Sequence, residues 1–155
     1  MFKTPEQAEA LEVSMACDHH LLLVSSTSMG KSLVYMLPTA CRNSGTTCVI
    51  LPLSALHYDF NHRCRDLKVE CSQWMPGMQE LRMRIVFISP EHAQTMEFSE
   101  YLTGMSQCGL LVQIVFNKVH LLTQHADFWF CTSQLAPLVT SGEEGSLKSC
   151  HFSVV

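Results

Sequence analysis

The sequence predicts an α/β domain whose β-sheet is mainly parallel. Its apolar runs are short and continuous rather than alternating, which is typical of strands buried on both faces. Segments with helix signals alternate with those runs, and this alternation is the pattern of a parallel sheet covered by helices. The chain has 155 residues, of which 47% are apolar and 15% charged, so it is long enough for one domain with a sizeable core.

Helices are predicted where a capping residue or a proline precedes apolar residues at helical spacing. In the second predicted helix, Pro38 lies late and is expected to kink or end it, because proline lacks the N–H that the helix needs. The predicted helices are Thr4–Cys17, Lys31–Arg42, Ser54–Leu67 and one that begins at Pro90.

Strands are predicted where apolar or β-branched runs lie between turn signals. Asn43-Ser44-Gly45 and Pro76-Gly77 are two such signals. The longest candidate is the run before Asn117. The predicted strands are Leu21–Val24, Thr46–Leu51, Lys68–Cys71, Arg84–Ser89, Leu110–Phe116 and His151–Val155.

Composition narrows the class of protein. The net charge is −4, so no overall basic field points to nucleic acid, although a local groove can still be basic. No apolar stretch approaches the roughly 20 residues that span a bilayer, and the segment from Met1 to Glu6 has no signal-peptide character. We therefore expect an intracellular protein without a membrane partner.

The eight cysteines contain no Cys-x-x-Cys pair, which argues against a zinc ribbon or a thioredoxin-like site. We expect reduced thiols that act as small core residues in a reducing compartment. The nearest approach to a metal cluster is His57, His62 and Cys64, with Cys71 beyond. Because this spacing is loose, we expect solvent-facing histidines and a buried thiol on one helix instead.

A phosphate-binding loop is predicted between the strand Leu21–Val24 and the helix that follows it. The eight residues that end at Ser32 read Ser-Ser-Thr-Ser-Met-Gly-Lys-Ser. In such loops backbone N–H groups cradle phosphates, the lysine reaches the terminal phosphates and the serine hydroxyl ligates Mg²⁺. Ser25 replaces the usual first glycine, and Ser28 and Met29 stand where flexible residues are common. The sequence therefore indicates nucleotide binding at an imperfect site.

Further motifs flank this loop in a fixed order. They are Gln7 before it, and Tyr35-Met36-Leu37-Pro38, Pro52–Asp59, Ser89-Pro90-Glu91 and Asn117-Lys118-Val119-His120 after it. This order resembles the first RecA-like domain of superfamily 2 helicases, and the RecQ branch most closely, over about residues 2–130. The resemblance implies a three-layer α/β/α P-loop NTPase fold.

The resemblance also implies ligands and the residues that would hold them. Lys31 would neutralise β- and γ-phosphate charge and Gln7 would contact adenine, so ATP is the expected nucleotide, with Mg²⁺ held by Ser32 and Asn117. The phosphate cradle would be formed by Thr27, Ser28, Met29 and Gly30. A nucleic-acid strand, with DNA expected, would contact Pro52, Leu53, Ser54, Ser89, Pro90 and Glu91.

Two of these assignments have structural alternatives. Gln7 is equally well explained as an exposed helix residue, because one glutamine is a weak signal. Ser89-Pro90-Glu91 is also a plain helix start, with proline at the first position and an acid near the positive end of the helix dipole. That second alternative is compatible with a role in binding.

The resemblance makes Lys31, Asn117, Lys118 and His120 the candidate catalytic residues, and two of them depart from the family pattern. In phosphate-loop NTPases an acid after the buried strand holds Mg²⁺ and the next carboxylate orients water. Asn117 supplies no charge, and Lys118 cannot accept a proton from water at neutral pH. Loss of a general base lowers rates about 10²–10⁴-fold, so we expect impaired hydrolysis. The alternative is an ordinary strand-to-helix turn in a protein that never used ATP.

These observations lead to one expected function and its alternatives. We expect residues 1–155 to form a single helicase ATP-binding domain, without the second RecA-like domain that the family uses for hydrolysis and unwinding. Such a domain would bind ATP and nucleic acid but be inactive alone. The alternatives are a non-catalytic scaffold or interaction module, and a degenerate fragment without activity. In a eukaryote the family suggests a nuclear location.

Overall fold

A computed structural model of the chain describes residues 5–16, 23, 30–51, 54–79 and 82–117. Two helices precede the first strand, one helix separates that strand from two consecutive strands, and two more helices precede the last strand. The helices are α1 (Pro5–Ala16), α2 (Leu33–Cys41), α3 (Ser54–Asp66), α4 (Pro90–Ala93) and α5 (Met96–Gln107). The strands are β1 (Thr46–Ile50), β2 (Cys71–Gln73), β3 (Ile85–Ile88) and β4 (Leu111–Phe116).

The described strands form one parallel sheet in the order β2-β3-β1-β4. Ile50 at the end of β1 pairs with Ile88 on one side and with Phe116 on the other. The carboxyl ends of these three strands are therefore level. The predicted α/β fold with a parallel sheet is confirmed.

The sheet separates two apolar clusters. Every residue of β1 and β3 is buried, as expected for strands covered on both faces. On one face, α5 packs Phe98 and Leu102 against Val86 and Ile88. On the other face, Tyr35 of α2 and Phe60 of α3 join the cluster that contains Val49 and Phe87. Helices on both faces give the three-layer arrangement that was expected, and burial of each large apolar side chain contributes about 1.5–3 kcal/mol.

Two predicted elements differ from the structure. The strand predicted at Lys68–Cys71 begins instead at Cys71, because Lys68 adopts a left-handed φ of 55° in the turn that ends α3. The backbone N–H of Val69 closes that turn on the Cys64 carbonyl at 2.8 Å. The helix predicted from Pro90 is two helices, and the Thr95 hydroxyl starts the second by accepting a hydrogen bond from the Phe98 N–H.

The remaining predicted elements either agree closely with the structure or lie outside the described residues. Those that the structure describes begin and end within two residues of the predicted bounds. Helix α2 continues past Pro38 for one turn, to Cys41. The strands predicted at Leu21–Val24 and His151–Val155 lie outside the described residues, apart from Leu23.

The cysteines and histidines behave partly as expected. Cys48 and Cys64 are buried free thiols, whereas Cys41 and Cys108 are exposed, so the prediction of core cysteines is wrong for the latter two. The His62 side chain is 65% exposed. No cluster of three or more histidine, cysteine or acidic residues suited to a metal occurs within the described part of the chain. The same residues contain no helix long and apolar enough to cross a bilayer.

Candidate functional site

The site begins at the residues that lead into α2. Gly30 has a φ of +68°, a conformation that glycine adopts without strain. Its carbonyl accepts a hydrogen bond from the Leu33 N–H at 3.0 Å, and the Lys31 carbonyl accepts one from Val34 at 3.0 Å. Ser32 is the N-cap of the helix, and its side chain makes no capping bond. The end of the predicted phosphate loop is thus the first turn of a helix, as such a loop requires.

Gln7 lies directly against this turn. Its side-chain Nε2 donates to the Gly30 carbonyl at 3.2 Å across 23 positions of sequence, and the residue is 5% exposed. A Cβ atom at Gly30 would lie 3.1 Å from that nitrogen. The alternative that Gln7 is an exposed helix residue is therefore wrong. Its contact with adenine stays a prediction.

Helix α2 is tied to the sheet at its far end. The Thr39 hydroxyl donates to the Tyr35 carbonyl at 2.7 Å and lies 2.8 Å from the Thr47 hydroxyl near the start of β1. The Arg84 guanidinium donates to the Thr39 and Arg42 carbonyls, which satisfies acceptors that a helix C-terminus leaves open. Because α2 ends near the start of β1, its N-terminus points toward the carboxyl ends of the strands.

Asn117 meets α2 at that edge. It follows β4 directly, and its backbone N–H donates to the Ile50 carbonyl at 3.0 Å. Its side-chain Nδ2 donates to the Tyr35 hydroxyl at 3.2 Å. Burial raises the pKa of Tyr35 well above its usual range, and the smaller effect of the Asn117 hydrogen bond lowers it. The phenol therefore stays neutral, and two motifs that are far apart in sequence share one buried contact.

Arg63 of α3 also reaches the loop, and the sequence did not indicate it. Its Nη1 donates to the Ser32 Oγ at 2.7 Å, across 31 positions. Its guanidinium lies 5.8 Å from the centre of the Phe60 ring, and that ring packs against Tyr35 with centroids 6.3 Å apart. The spacing of Phe60 and Arg63 does place them on one helix face, but no signal connected that face with Ser32.

The side chains present fit a divalent cation poorly. Mg²⁺ prefers carboxylates, phosphate oxygens and water. Of the two expected ligands, the Ser32 hydroxyl is already engaged by a guanidinium and the Asn117 side chain is neutral and bonded to Tyr35. Arg63 and the N-terminus of α2 instead bring positive charge to Ser32, next to Lys31 in sequence, which suits an anion such as a phosphate group.

Ser89, Pro90 and Glu91 follow β3 at the same edge of the sheet. Ser89 is the N-cap of α4 and Pro90 its first residue, and the Ser89 carbonyl accepts from the Ala93 N–H at 3.0 Å. The interpretation as a helix start is confirmed. The Leu51 N–H donates to the Ile88 carbonyl at 2.9 Å, so β1 and β3 end side by side at this edge. Their contact with a nucleic acid stays a prediction.

Several predicted site residues fall outside the part of the chain that the structure describes. Ser54 is the first residue of α3. The site residues outside the described part are Thr27, Ser28, Met29, Pro52, Leu53, Lys118 and His120. The roles given to them and to Ser54 stay predictions.

Comparison with known proteins agrees with this geometry. The model of the DEAD/DEAH box helicase family matches residues 4–128. ATP-dependent DNA helicase Q5 of Rattus norvegicus is 31% identical over 137 residues, which cover 79% of this chain and 14% of that protein. ATP-dependent DNA helicase Q1 of Rattus norvegicus is 27% identical over 135 residues, which cover 77% of this chain and 21% of that protein. The expected resemblance to RecQ-like helicases is confirmed.

A solved structure supports the fold as well. The crystal structure of a hypothetical ATP-dependent RNA helicase from Sulfolobus tokodaii superposes with a TM-score of 0.66 at 14% sequence identity. The match covers 96% of this chain and 44% of that one. At this identity the likeness shows the RecA-like fold alone. The chain spans less than a quarter of the length of the helicases Q5 and Q1 that it matches.

Proposed function

Because the chain belongs to the DEAD/DEAH box helicase family, we propose that it binds ATP at the turn formed by Gly30, Lys31 and Ser32. Members of this family use ATP. The observation that carries the proposal is the hydrogen bond between Asn117 and Tyr35, in the helix that this turn begins, at the carboxyl edge of the parallel sheet, where α/β folds bind their ligands. Lys31 and the positive end of the α2 dipole would neutralise phosphate charge.

We propose further that this domain retains ATP without efficient hydrolysis. Asn117 brings no negative charge to the position after β4, and Lys118 follows it in sequence. Without a carboxylate to orient or deprotonate water, the chemical step is expected to slow by about 10²–10⁴-fold. Mg²⁺ at Ser32 and Asn117 would be held weakly. A second RecA-like domain would be needed for turnover and unwinding.

The same family membership supports nucleic acid as a partner. The names of the relatives Q5 and Q1 describe DNA helicases, so DNA is the proposed strand. The segments 52–54 and 89–91 follow β1 and β3 in sequence, and these two strands are neighbours in the sheet, so we propose that a nucleic-acid backbone crosses their carboxyl ends. Binding to a single-stranded oligonucleotide should weaken steeply as salt rises; salt-insensitive binding would argue against phosphate contacts.

The non-catalytic alternative keeps one specific observation in its favour, which is the neutral Asn117 itself. A domain that binds ATP without turnover can serve as a regulatory or interaction module. We also propose an intracellular location, nuclear if the organism is a eukaryote, which rests on the family and on the free thiols of the described residues.

Nucleotide binding is tested by titrating a fluorescent ATP analogue into the purified chain. We expect saturable binding that Lys31→Ala lowers at least about tenfold, as loss of a charged phosphate contact of about 1.4 kcal/mol or more implies. Lys68→Asn is the matched control, because Lys68 is exposed beyond α3 and asparagine tolerates its left-handed φ. Equal affinities for all three proteins would refute the assignment.

A further inference from the structure

We propose that Arg63 takes the place of the divalent cation, so that this chain binds nucleotide phosphates without needing Mg²⁺. The ligand class is a metal-free nucleoside di- or triphosphate, held between the Lys31 ammonium and the Arg63 guanidinium. This inference rests on the proposed nucleotide site and names how that site holds its ligand.

The first support is the hydrogen bond between Arg63 and Ser32. The Ser32 hydroxyl is the group that a phosphate loop offers to Mg²⁺, and here its oxygen accepts from the Arg63 Nη1 at 2.7 Å. A magnesium ligand oxygen lies about 2.0–2.1 Å from the ion. A guanidinium and a dication on one hydroxyl oxygen would repel each other strongly at such separations. Arg63 and Mg²⁺ therefore compete for the same oxygen.

The second support is the charge of the surrounding groups. A carboxylate after β4 would favour the dication, but Asn117 is neutral and its amide is occupied by the Tyr35 hydroxyl. Lys31 and Arg63 bring two positive charges to the loop while Asn117 brings none. Such cations neutralise the tri- or tetra-anionic phosphate chain of a nucleotide directly. The site therefore lacks the carboxylate that would recruit Mg²⁺, and it also does not need the charge of the metal.

The third support is the way that Arg63 is held. Its guanidinium lies 5.8 Å from the centre of the Phe60 ring, within the range of a cation–π contact. The ring is buried in the core beside Tyr35, whereas Arg63 itself is exposed. The Arg63 side chain is thus positioned by the Phe60 ring on one side and exposed to solvent on the other. A planar guanidinium in that setting can present two parallel N–H groups to a phosphate, which is the geometry that arginine favours.

The test compares nucleotide affinity in excess EDTA with affinity in excess Mg²⁺, using a fluorescent ADP or ATP analogue. We expect the wild-type affinity in EDTA to equal or exceed that in Mg²⁺. Arg63→Gln should weaken binding in EDTA at least about tenfold, while Arg65→Gln, an exposed arginine on the same helix, should leave it unchanged. Arg63→Lys keeps the charge but loses the paired N–H groups of the guanidinium, so its affinity in EDTA should lie between those of the other two variants.

A second variant reverses the metal requirement. In Arg63→Gln/Asn117→Asp the Ser32 hydroxyl is released and a carboxylate is supplied, so nucleotide binding should become dependent on Mg²⁺. Circular dichroism checks that each variant is folded. Wild-type binding that requires Mg²⁺ and is unaffected by Arg63→Gln would overturn the inference while leaving the nucleotide site intact. Absence of saturable binding under both conditions would instead remove the proposed site, and this inference with it.

Discussion

The side-chain amide of Asn117 donates a hydrogen bond to the hydroxyl of Tyr35 at 3.2 Å, across 82 positions of sequence. Tyr35 is 2% exposed and Asn117 8%. A buried pair of this kind is costly to leave half satisfied. The contact therefore fixes the end of β4 to the first turns of α2, and with it the edge of the sheet at which we place the nucleotide.

Replacing Tyr35 by phenylalanine tests that contact. The ring is retained, but the Asn117 amide loses its acceptor inside the protein, so the free energy of unfolding should fall by about 1–3 kcal/mol. Tyr58→Phe is the control, because Tyr58 is 75% exposed and its change should stay within about 0.5 kcal/mol. Urea denaturation measures both. A Tyr35→Phe variant as stable as the control would show that the hydrogen bond contributes nothing.

Alkaline pH should weaken the fold through the same tyrosine. Burial raises the pKa of Tyr35 and also that of the Cys64 thiol, so the folded state holds both groups neutral. The unfolded chain loses these protons near pH 8.5 for cysteine and near pH 10 for tyrosine. Stability is thus complete below those values and falls above them, by about 1.4 kcal/mol per pH unit for each group.

The variants separate the two contributions. Above about pH 10, Tyr35→Phe should reduce the slope of unfolding free energy against pH by the contribution of one proton. Cys64→Ala should reduce the slope that begins near pH 8.5. Unchanged slopes in both variants would mean that other groups govern the alkaline transition.

Gly30→Ala should damage the site more than its backbone strain alone explains. Both Gly30 and Gly77 have a positive φ, so alanine costs about 1–2 kcal/mol at either position. A Cβ at Gly30 would also lie 3.1 Å from the Gln7 nitrogen, whereas one at Gly77 meets nothing within 4 Å. We expect nucleotide affinity to fall in Gly30→Ala and to stay unchanged in Gly77→Ala. Equal nucleotide affinity in the two variants would show that the contact between Gln7 and Gly30 plays no part in binding.

Arg84→Ala should loosen α2. Arg84 donates to the Thr39 and Arg42 carbonyls at the C-terminus of that helix, and hydrogen bonds from charged groups contribute about 1.5–3 kcal/mol. Arg82→Ala removes a neighbouring exposed arginine and is expected to change the unfolding free energy by under about 0.5 kcal/mol. Thermal or chemical denaturation distinguishes the two, and equal stabilities would contradict the capping role of Arg84.

The sequence was most informative where structure is set locally. The Gly30–Ser32 turn and the buried runs of β1, β3 and β4 follow from residue types that adjoin one another, and the order of motifs correctly assigned Asn117 to the end of a strand. The start of β2 was predicted three residues too early, because the left-handed turn at Lys68 involves no glycine that would have signalled it.

Contacts between distant segments were beyond sequence reasoning. Arg63 reaches Ser32 because α3 packs beside α2 on one face of the sheet, and no spacing along the chain records that neighbour. The sequence alone supports two interpretations of Gln7 for the same reason. Its burial against Gly30 depends on how α1 and α2 pack.

Hydrogen exchange with and without ATP tests the central claim most directly, because it locates the ligand on the fold. We expect ATP to slow exchange in the peptides that contain residues 30–36 and Asn117, at the carboxyl edge of the sheet. The peptide that covers α5, on the opposite face of the sheet, should exchange at the same rate in both conditions. Slowing confined to α5, or no difference in any peptide at saturating ATP, would contradict the account.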